Sequence, residues 1–532
     1  MEKREDLRSI LQYLPLVAQS SSLVWPPSVE EELQTMSRGP SESMVNSGER
    51  LALHMKNMKR SLSLNPSDLA DYELKGYALY FDKKISREES AKFFDEVVPA
   101  LCGLLLQLPS MLETHYQNAE HVLDGITSGL RLLGPQEAGI VFLSQELIAA
   151  LLACSFFCLF PEVGRGLKHL QRINFDELFV LPSMHHCSKQ ENKIRCLINY
   201  FGRICRCMPT GFVSFERKIL PLEHHPGYIS YPEADYWAKS ITPLCSVEIH
   251  TSGAIEDQPR EALEVDFADE YFGGLTLSYD TLQEEIRFVI NPELIAGMIF
   301  LPRMDANEAI EIVGVERFSR YTGYGPSFQY AGDYTDKKGL DIFRRRKTRV
   351  IAIDALPGPG ITQYKLDALL REVNKAFTGY LHQCKYRMDA SLRIPLETDT
   401  NPSSYTHSER PDPLPSASLR QVVESSQRWC IDHEEIIGVA TGNWGCGVFG
   451  GDPELKIMLQ WLAVSQSGRP FMSYYTFGLQ SLQNINQVIE RVTMQELTVG
   501  DLWNKVVEYC EERFIRKTRL GFFSWLITSL SA

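Results

Sequence analysis

Apolar positions recur at helical spacing through the first part of the chain. The clearest runs are FFDEVVPALCGLLLQLPSML (93–112) and FLSQELIAALLACSFFCLF (142–160). Strand signals are few in this part, so the pattern predicts an all-helical region from residue 50 to about residue 215. The Met, Leu and Phe stripes in this region are interpreted as core packing rather than as a cofactor-binding box.

From about residue 240 onward, short apolar runs alternate with helical ones. The strand-like runs are CSVEIHT (245–251), EIRFVIN (285–291), EAIEIVGVE (308–316), TRVIAIDAL (348–356), EIIGVATG (435–442) and FMSYYTFG (471–478). Strands that alternate with helices indicate an α/β fold with a mixed, largely parallel sheet flanked by helices. Ligands of such sheets bind at the carboxyl ends of the strands.

Capping signals mark three helix starts in this second part. Asn-Pro at 291–292 and Asp-Pro at 452–453 each place a capping side chain before a proline that fits the first helical turn. Thr498 with Asp501 has the spacing of a capping box. A further helix is indicated by apolar residues on one face: Leu366, Leu369, Leu370, Val373, Phe377 and Tyr380.

The remaining segments differ in composition. Residues 1–49 are predicted to be loosely ordered, because their second half is rich in Ser, Pro and acidic residues. Residues 386–418 are Pro- and Ser-rich without periodicity, which predicts a flexible surface insertion. The predicted division is a segment 1–49, a helical region 50–215, an α/β core 216–515 that contains the insertion, and an apolar tail 516–532. We expect the tail to dock on the fold or to contact a partner.

Composition and charge limit the function classes. The chain has 532 residues, of which 44% are apolar and 23% charged, as in globular proteins. Its 54 basic and 68 acidic residues leave a formal charge of −14, which argues against tight direct binding of DNA or RNA. Twelve cysteines are too sparse for a disulfide scaffold and indicate a reducing compartment. The composition of the first residues leads us to expect no secretory signal, and no membrane span is expected, because no run reaches the required length.

The most informative stretch is residues 265–290, VDFADEYFGGLTLSYDTLQEEIRFVI. A loop joins the glycines at 273–274 to the adjacent carboxylates at 284–285. Glycines let a backbone approach a ligand closely, and free N–H groups hold phosphate without a basic side chain. A carboxyl group beside such a loop is placed to exchange protons with the ligand. Past the loop, alternating Ile286, Phe288 and Ile290 predict a strand with one apolar face. The alternative for the loop itself is an ordinary turn into that strand, with solvated acids.

Two further loops carry candidate chemistry. Residues 441–452, TGNWGCGVFGGD, contain five glycines between a predicted strand and a predicted helix, which is the general design of a phosphate cradle. The spacing is neither a Walker loop nor GxGxxG, and a simple chain reversal is the alternative. Residues 316–334 carry four tyrosines and two phenylalanines around glycines, which favours stacking on a base or ribose; buried loop packing is the alternative.

Other candidate sites are weaker. Histidines and cysteines between residues 185 and 207 lack a CxxC pair, so no metal site is predicted. The basic run at 344–347 has two interpretations, a nuclear-localisation patch or a solvated approach to the next strand.

Taken together, these residues resemble the poly(ADP-ribose) glycohydrolase family in its plant-type form. The motifs that carry the resemblance are, in order, VDFA, the glycine pair, QEEIRFVINPELI, YTGY, IAIDAL and ATGNWGCGVFGGD. The resemblance covers roughly residues 190–510. It implies a macrodomain-like α/β core preceded by the helical accessory region.

The resemblance also implies an activity. The family cleaves ribose–ribose O-glycosidic bonds of poly(ADP-ribose) and releases ADP-ribose, with no metal or organic cofactor. The implied general acid is Glu285, with Glu284 and Asp266 as further catalytic carboxylates. The implied substrate-binding residues are Ile255, Glu256, Asp269, Gly273, Gly274, Gln283, Tyr324, Asn443, Trp444, Gly445, Cys446, Gly447, Val448 and Phe449. Within this set, the turn 443–448 would bind the diphosphate and Phe449 would pack on ribose.

Two positions depart from the family pattern. Leu275 stands where the family has a third glycine, and Asp269 stands where it usually has asparagine. We expect that a leucine resists the backbone angles of glycine, and that an added carboxylate repels phosphate if it faces the site. The second hypothesis is therefore a catalytically weak reader that binds poly(ADP-ribose).

The expected partner is poly(ADP-ribose), free or attached to ADP-ribosylated proteins, with no direct DNA binding and no membrane. The expected setting is the nucleus, the cytoplasm or both, in the response to stress or DNA damage.

Overall fold

The computed structural model describes residues 4–19, 22–62, 71–119, 127–185, 188–224, 229–382 and 437–531. The strands are β1 Val17–Gln19, β2 Ser22–Val24, β3 Gly139–Ser144, β4 Phe212–Ile219, β5 Ser246–His250, β6 Ala262–Asp266, β7 Glu308–Gly314, β8 Ser319–Thr322, β9 Gln329–Asp333, β10 Arg346–Ala352, β11 Gly438–Gly442 and β12 Phe471–Tyr475. The α-helices are α1 Glu5–Ile10, α2 Pro27–Ser37, α3 Pro40–Ser43, α4 Gly48–Ser61, α5 Asp71–Leu79, α6 Arg87–Lys92, α7 Val98–Asn118, α8 Gln145–Phe156, α9 Asp176–His185, α10 Ser188–Arg206, α11 Ala234–Ala238, α12 Gln283–Ile290, α13 Leu366–Tyr380, α14 Pro453–Gln466, α15 Ile485–Met494, α16 Val499–Phe514 and α17 Phe522–Ser529. Shorter 3-10 or π-helical turns are Leu11–Tyr13, Tyr80–Lys84, Phe93–Val97, Gly166–Lys168, Ile255–Asp257, Pro292–Ile299, Gly325–Ser327, Gly360–Tyr364 and Gln480–Leu482.

An eight-stranded sheet forms the centre of the fold, in the order β3-β4-β7-β10-β6-β11-β12-β5. The strands from β10 to β5 pair in parallel, whereas β7, β4 and β3 pair antiparallel. The prediction of a mixed, largely parallel sheet is therefore confirmed. The hairpin β8–β9 stands apart as a separate two-stranded sheet.

Both faces of the sheet are covered. In β10 and just beyond it, Val350 and Ala352 belong to the hydrophobic core shared with the helical region, whereas Ile351 and Ile353 belong to the core on the opposite face. Successive strand residues point to opposite faces, so an unbroken apolar run is required when both faces are buried. This explains why the strands are continuous apolar stretches in the sequence.

Several predicted helix signals are confirmed. The Asp452 carboxylate accepts a hydrogen bond from the Glu454 N–H at 3.0 Å and caps α14. Thr498 and Asp501 form the predicted capping box at the start of α16. The predicted apolar face of α13 buries most of its residues, including Val373 and Phe377. At 291–292, by contrast, a 3-10 helix begins, and Asn291 makes no side-chain cap.

The prediction that residues 1–49 are loosely ordered is wrong. Helix α2 buries Val29, Leu33 and Met36, which lie at helical spacing and pack in the core next to α7. The Trp25 Nε1–H donates to the Leu105 carbonyl at 2.8 Å. The polar composition that favoured disorder lies on the exposed face of a helix whose three apolar residues face inward.

The prediction of an all-helical region 50–215 is wrong at two strands. Strand β3 lies inside that region, and β4 begins inside it and continues past residue 215. Strand β4 pairs with β7, so the helical region contributes the edge of the central sheet. A six-residue apolar run such as GIVFLS is too short to stand out from the longer helical runs around it.

The interpretation of residues 285–291 as a strand is also wrong, because the structure has helix α12 there. Every residue from Glu284 to Ile290 is buried. When all sides of an element are buried, alternation of side chains no longer separates a strand from a helix. The consequence for the site is direct: Gln283, Glu284 and Glu285 form the first turn of a helix.

The outer segments complete the molecule. The C-terminal helix α17 buries Phe522, Phe523 and Leu526 against the core, so the predicted docking of the tail is confirmed. The predicted insertion 386–418 lies outside the described residues. Contrary to the expectation from the sequence, Arg87–Asn118 is long and apolar enough to cross a membrane by length and composition alone. Core helices meet the same criteria, and Leu101 and Leu105 of this helix are fully buried.

The packing of α2 can be tested with Leu33→Ala. We expect the free energy of unfolding to fall by about 2 to 5 kcal/mol, because truncation leaves a cavity in a fully buried position. Urea unfolding followed by fluorescence measures the change. Glu31→Ala, on the exposed face of the same helix, is the matched control and should stay within about 0.5 kcal/mol. Equal stability of the two variants would show that α2 does not contribute to the core.

Candidate functional site

A cavity of about 600 Å³ opens at the carboxyl end of the parallel strands. Its walls come from segments that follow β5, β6, β10, β11 and β12, from helix α12 and from the β8–β9 hairpin. The predicted residues that line it are Ile255, Glu256, Gln283, Tyr324, Asn443, Trp444, Gly445, Cys446, Gly447, Val448 and Phe449. Asp266, Asp269, Gly273, Gly274, Glu284 and Glu285 lie behind this wall rather than in it.

Gln283 joins helix α12 to the end of strand β6. Its Oε1 accepts a hydrogen bond from the Phe267 N–H at 2.8 Å, and its Nε2 donates to the Val265 carbonyl at 3.1 Å. The side chain therefore completes the hydrogen bonding of a strand end, which also fixes where the helix begins.

The two glutamates that follow are held by backbone N–H groups. Glu284 accepts from Gly273 at 2.7 Å and from Asp269 at 2.9 Å. Glu285 accepts from Leu275 at 3.1 Å and from Leu282 at 2.8 Å. The loop 269–275 thus wraps around both carboxylates at the amino end of a helix, where negative charge is favoured.

The glycine pair is required by this close approach. Gly273 and Gly274 have φ of +96° and +48°. A Cβ on Gly274 would lie 2.4 Å from Glu284 Oε2 and 2.9 Å from Glu285 Oε1. Gly273 N–H bonds to Glu284, and Gly274 N–H donates to the Tyr271 carbonyl at 2.9 Å. The loop therefore cradles carboxylates. The sequence predicts that its two glycine N–H groups are free to hold phosphate, and this prediction is wrong, because both groups are bonded within the protein.

Burial dominates the electrostatics of the acids. It raises the pKa of Glu284 well above its ordinary value, and the neighbouring carboxyls of Asp266 and Glu285 raise it further. Burial also raises the pKa of Asp266 to about 8, against the opposing charge of Arg287. For Glu285 burial again raises the pKa, while the N–H of Leu275 and the charge of Lys193 oppose the shift. These carboxyls therefore retain protons at a higher pH than solvated acids do.

Asp266 is the most isolated of the three acids. It is fully buried, and neither of its carboxyl oxygens has a hydrogen-bond partner within the described part of the chain. An unpaired buried carboxyl favours its neutral form, which agrees with the raised pKa.

The glycine-rich turn after β11 has the features of an anion site. Within the described residues, the N–H groups of Gly445, Gly447, Val448 and Phe449 have no protein acceptor. Gly445 has a φ of +71°, and a Cβ there would lie 2.6 Å from the Ala355 Cβ. Successive free N–H groups form a concavity that accepts an anion.

Two side chains anchor this turn to the sheet. The Trp444 ring is fully buried, and its Nε1–H donates to the Ile353 carbonyl at 2.9 Å. The Asn443 Nδ2 donates to the Thr476 carbonyl at 3.0 Å. The turn is therefore shaped before any ligand arrives.

Aromatic residues form the rim of the cavity. Tyr324 lies at the tip of the β8–β9 hairpin and is 55% exposed. The pKa of its hydroxyl is raised, first by partial burial and second by the charge of Glu285. The Tyr321 hydroxyl donates to Glu256 Oε1 at 2.6 Å. Of the aromatic stretch predicted for stacking, Tyr324 is thus the member presented to the cavity with an open face.

Tyr321, from the aromatic stretch predicted for stacking, also lines the cavity. Sequence reasoning missed several other lining residues: Phe267, Ala268, Leu282, Ile286, Arg287, Ala355, Phe477 and Leu479. Phe477 and Ala355 lie at the carboxyl ends of the predicted runs FMSYYTFG and TRVIAIDAL, and Leu479 directly follows the first of them. The rule that ligands bind at the carboxyl ends of strands, applied to each predicted strand, would have found these three. No such rule identifies Arg287, because the sequence predicts a strand where Arg287 lies in helix α12.

The two departures from the family pattern are accommodated. The backbone at Leu275 does not take a positive φ, so the expectation that it needs glycine angles is wrong. Asp269 does not line the cavity, and its Oδ1 accepts from the Tyr271 N–H at 2.9 Å. Its carboxylate therefore closes a turn of the loop rather than facing a ligand in the cavity.

The structure also describes the basic run 344–347 and side chains of the kinds that could hold a metal ion. The basic run enters strand β10, and Arg345 and Arg346 are paired with Asp341 at 2.7 Å and Glu316 at 2.9 Å. The approach to a strand is therefore the better interpretation of this run. Over the described ranges, no group of three His, Cys, Asp or Glu side chains is placed to hold a metal ion.

Gly274→Ala tests the carboxylate cradle. A methyl group at this position collides with both carboxylates at an unfavourable φ, so we expect a loss of about 1 to 3 kcal/mol in the free energy of unfolding. Thermal unfolding measures the loss. Gly103→Ala is the matched control, because its Cβ meets nothing within 4 Å inside helix α7 and should stabilise slightly. A Gly274→Ala protein as stable as that control would refute the close approach.

Asp266→Asn tests the protonation of the buried acid. The folded-state pKa of about 8 exceeds the value of 3.8 for a free aspartate, so the folded protein binds the extra proton. That contribution to stability is complete below the unfolded pKa and is lost as pH rises toward 8. Relative to the unchanged protein, the variant should gain up to about 1.4 kcal/mol per pH unit between pH 6 and pH 8. Unfolding curves across that range measure the gain, and a difference independent of pH would contradict the assignment.

Comparison with known proteins identifies the family. A model of the poly(ADP-ribose) glycohydrolase macro domain fold matches residues 234–484, and a model of the helical domain of the same family matches residues 85–217. The macrodomain-like fold and its helical companion are therefore confirmed.

Relatives agree with these matches. A probable poly(ADP-ribose) glycohydrolase 2 of Arabidopsis thaliana is 81% identical over the whole of both chains. A poly(ADP-ribose) glycohydrolase 1 of the same plant is 54% identical over all of this chain and 98% of the relative. A Caenorhabditis elegans poly(ADP-ribose) glycohydrolase 1 is 28% identical over 59% of this chain and 35% of the relative. The chain belongs to the poly(ADP-ribose) glycohydrolase family.

Proposed function

We propose that this protein hydrolyses the ribose–ribose O-glycosidic bonds of poly(ADP-ribose) and releases ADP-ribose, with Glu285 as the general acid. The observation that carries the proposal is the pair of cradled carboxylates at the start of α12, next to a cavity floored by a turn with free N–H groups. One element offers a proton and the other holds an anion, which are the two requirements for cleaving a sugar bond beside a diphosphate.

The substrate is held largely without basic side chains. The turn 443–448 binds the diphosphate through backbone N–H groups, and Phe449 packs on a ribose. Ile255 and Glu256 contact the adenine, and Tyr324 covers the substrate from the rim. Neutral N–H donors suit a chain of net charge −14, because they bind phosphate locally without a basic surface.

The chemistry begins with proton transfer. Protonated Glu285 gives its proton to the ribose oxygen that leaves, as the bond between that oxygen and the anomeric carbon breaks. The positive charge that develops on the sugar is shared with its ring oxygen in an oxocarbenium-like state. Water adds to the anomeric carbon, and its proton returns to Glu285. Burial supports this role, since it keeps a carboxyl protonated at higher pH than in water.

The other two acids support the first. Each Glu284 oxygen accepts one backbone N–H and keeps a second lone pair, which leaves capacity for ribose hydroxyls. Asp266 acts from behind the cavity wall, where its carboxyl raises the pKa of Glu284. We assign proton donation to Glu285 and substrate positioning to Glu284.

A reader that binds poly(ADP-ribose) without cleaving it is the alternative. The position of Glu285 behind the cavity wall is the observation in its favour. The intact cradle, the raised pKa of Glu285 and membership of a hydrolase family favour the enzyme. The proximity of Glu285 to the exposed Tyr324 also supports access to the substrate.

The wider setting is part of the same proposal. The substrate is poly(ADP-ribose), free or attached to ADP-ribosylated proteins, during stress or DNA-damage signalling. The nucleus, the cytoplasm or both are the proposed compartments, in line with the free cysteines of the described residues. A fluorescent fusion of the full chain tests the compartment, and a signal confined to the secretory pathway would refute it.

Glu285→Gln tests the general acid. The amide keeps the shape of the side chain but carries no transferable acidic proton, so we expect release of ADP-ribose to fall by about 100-fold or more. Chromatographic detection of ADP-ribose from purified polymer measures turnover, and calorimetry measures binding of ADP-ribose, which should persist.

Glu270→Gln is the matched control, since Glu270 is an exposed acid in the same stretch. Normal turnover by Glu285→Gln would refute the assignment. An unchanged protein that binds polymer and releases no ADP-ribose would identify a reader instead.

A further inference from the structure

The loop that cradles the two glutamates is itself held by the helical region. Gln171 Nε2 donates to the Tyr271 carbonyl at 2.8 Å, and the Ser278 hydroxyl donates to Glu177 at 2.6 Å. These contacts come from residues that precede the α/β core in the chain. The position of the loop therefore depends on both parts of the molecule.

Lys193 of helix α10 makes the most extensive of these contacts. Its side chain is fully buried, and its Nζ donates to the carbonyls of Leu275 at 3.2 Å, Ser278 at 2.8 Å and Asp280 at 2.7 Å. An ammonium group has three N–H donors, so all of them are used within the loop. Three carbonyls separated along the loop converge on a single nitrogen atom.

Leu275 connects this lysine to the acid. Its carbonyl accepts from Lys193, and its N–H donates to Glu285 Oε1 at 3.1 Å. The loop residue that bonds to Glu285 is thus the same residue that Lys193 holds. Displacement of the Leu275 peptide would move or remove one of the two N–H groups that orient the carboxyl of Glu285.

The charges that face Lys193 come from four elements. Glu285 at the start of α12, Asp280 of the loop and Glu177 of α9 favour its charged form, and Lys189 of α10 opposes it. Burial is the largest influence and lowers the pKa of Lys193 to about 7. In return, the ammonium charge lowers the pKa of Glu285.

We propose that Lys193 is a positioning residue for hydrolysis: it holds the loop so that the Leu275 N–H orients the carboxyl of Glu285. Lys193 acts through Glu285 and does not line the cavity. The proposal rests on the proposed role of Glu285 as the general acid. It makes a residue of the helical region part of the catalytic arrangement of the core.

Lys193→Met tests the proposal, because it keeps the length of the side chain and removes both the donors and the charge. We expect kcat to fall by about 10- to 100-fold, since a small displacement of a catalytic group has an effect of this size. The KM for polymer should stay within about threefold, because the cavity is untouched. Steady-state kinetics with purified polymer separate the two constants.

The pH profile of kcat gives a second readout that a merely structural role would not move. A general acid works in its protonated form, so activity falls as pH rises through its pKa. The Leu275 N–H bond lowers the pKa of Glu285, and so does the charge of Lys193 at pH values below the lysine's own pKa of about 7. When Lys193→Met displaces Leu275 and removes the charge, the alkaline fall should therefore shift to higher pH. A fall at the same pH as in the unchanged protein would refute the proposed action of Lys193 on Glu285.

Lys189→Met is the matched control. Lys189 lies on the same helix and faces the same loop through Asp280 at 3.8 Å, but it does not contact Leu275. We expect kcat within about twofold of the unchanged protein. An equal loss in both variants would overturn the specific role of Lys193.

Folding and function are separated by two further measurements. Thermal unfolding and ADP-ribose binding verify that Lys193→Met is folded. If it is not, Lys193→Arg replaces it: a planar guanidinium does not place three donors on one nitrogen, so kcat should still fall. Full kcat in a folded variant overturns this proposal alone, whereas full activity of Glu285→Gln overturns the proposed general acid.

Discussion

The structure depends on burying two adjacent carboxylates at the start of one helix. Transfer of a carboxyl group out of water is unfavourable unless the group is neutral or hydrogen-bonded, and both conditions contribute here. Four backbone N–H groups meet Glu284 and Glu285, and burial raises the pKa of each. The loop can supply those N–H groups only if Gly273 and Gly274 bring the backbone against the carboxyls. This contact sets the path of the loop, and Gln283 beside it joins the end of β6 to the start of α12.

This contact also explains how the site is divided between the two parts of the chain. The cavity is built at the carboxyl end of the parallel strands, as in other α/β sheets. The acids lie at the start of α12 and the end of β6, and the loop that bonds to the two glutamates is held in position by Lys193 and Gln171 of the helical region. The helical region is therefore not a unit separate from the core. It completes the sheet through β3 and β4 and supports the loop that bonds to these acids.

The sequence predicts the α/β core well, because strands such as 348–356 are short, apolar and bounded by helix signals. It fails for 285–291, where complete burial removes the one-sided apolar pattern that distinguishes a helix from a strand. It also fails for residues 1–49, where the three apolar positions of α2 are diluted by polar neighbours. Within the site, the motifs locate nearly every lining residue of the turn 443–449. They do not show that the glycine pair serves Glu284 rather than phosphate, because that depends on which N–H groups remain free in the folded chain.

The anchoring of the turn 443–449 has a consequence for how proteins of this kind diverge. Trp444 and Asn443 tie the turn to the sheet, so the proposed diphosphate site is held from inside the core. The loop 269–275, which bonds to the two glutamates, is held in contrast from outside the core by Lys193 of the helical region. Recognition and cleavage thus have separate supports within one chain. Under the proposed roles of Lys193 and Glu285, inherited changes in the helical region would silence cleavage and leave recognition intact, so a hydrolase would become a reader with no alteration at any residue that lines its cavity.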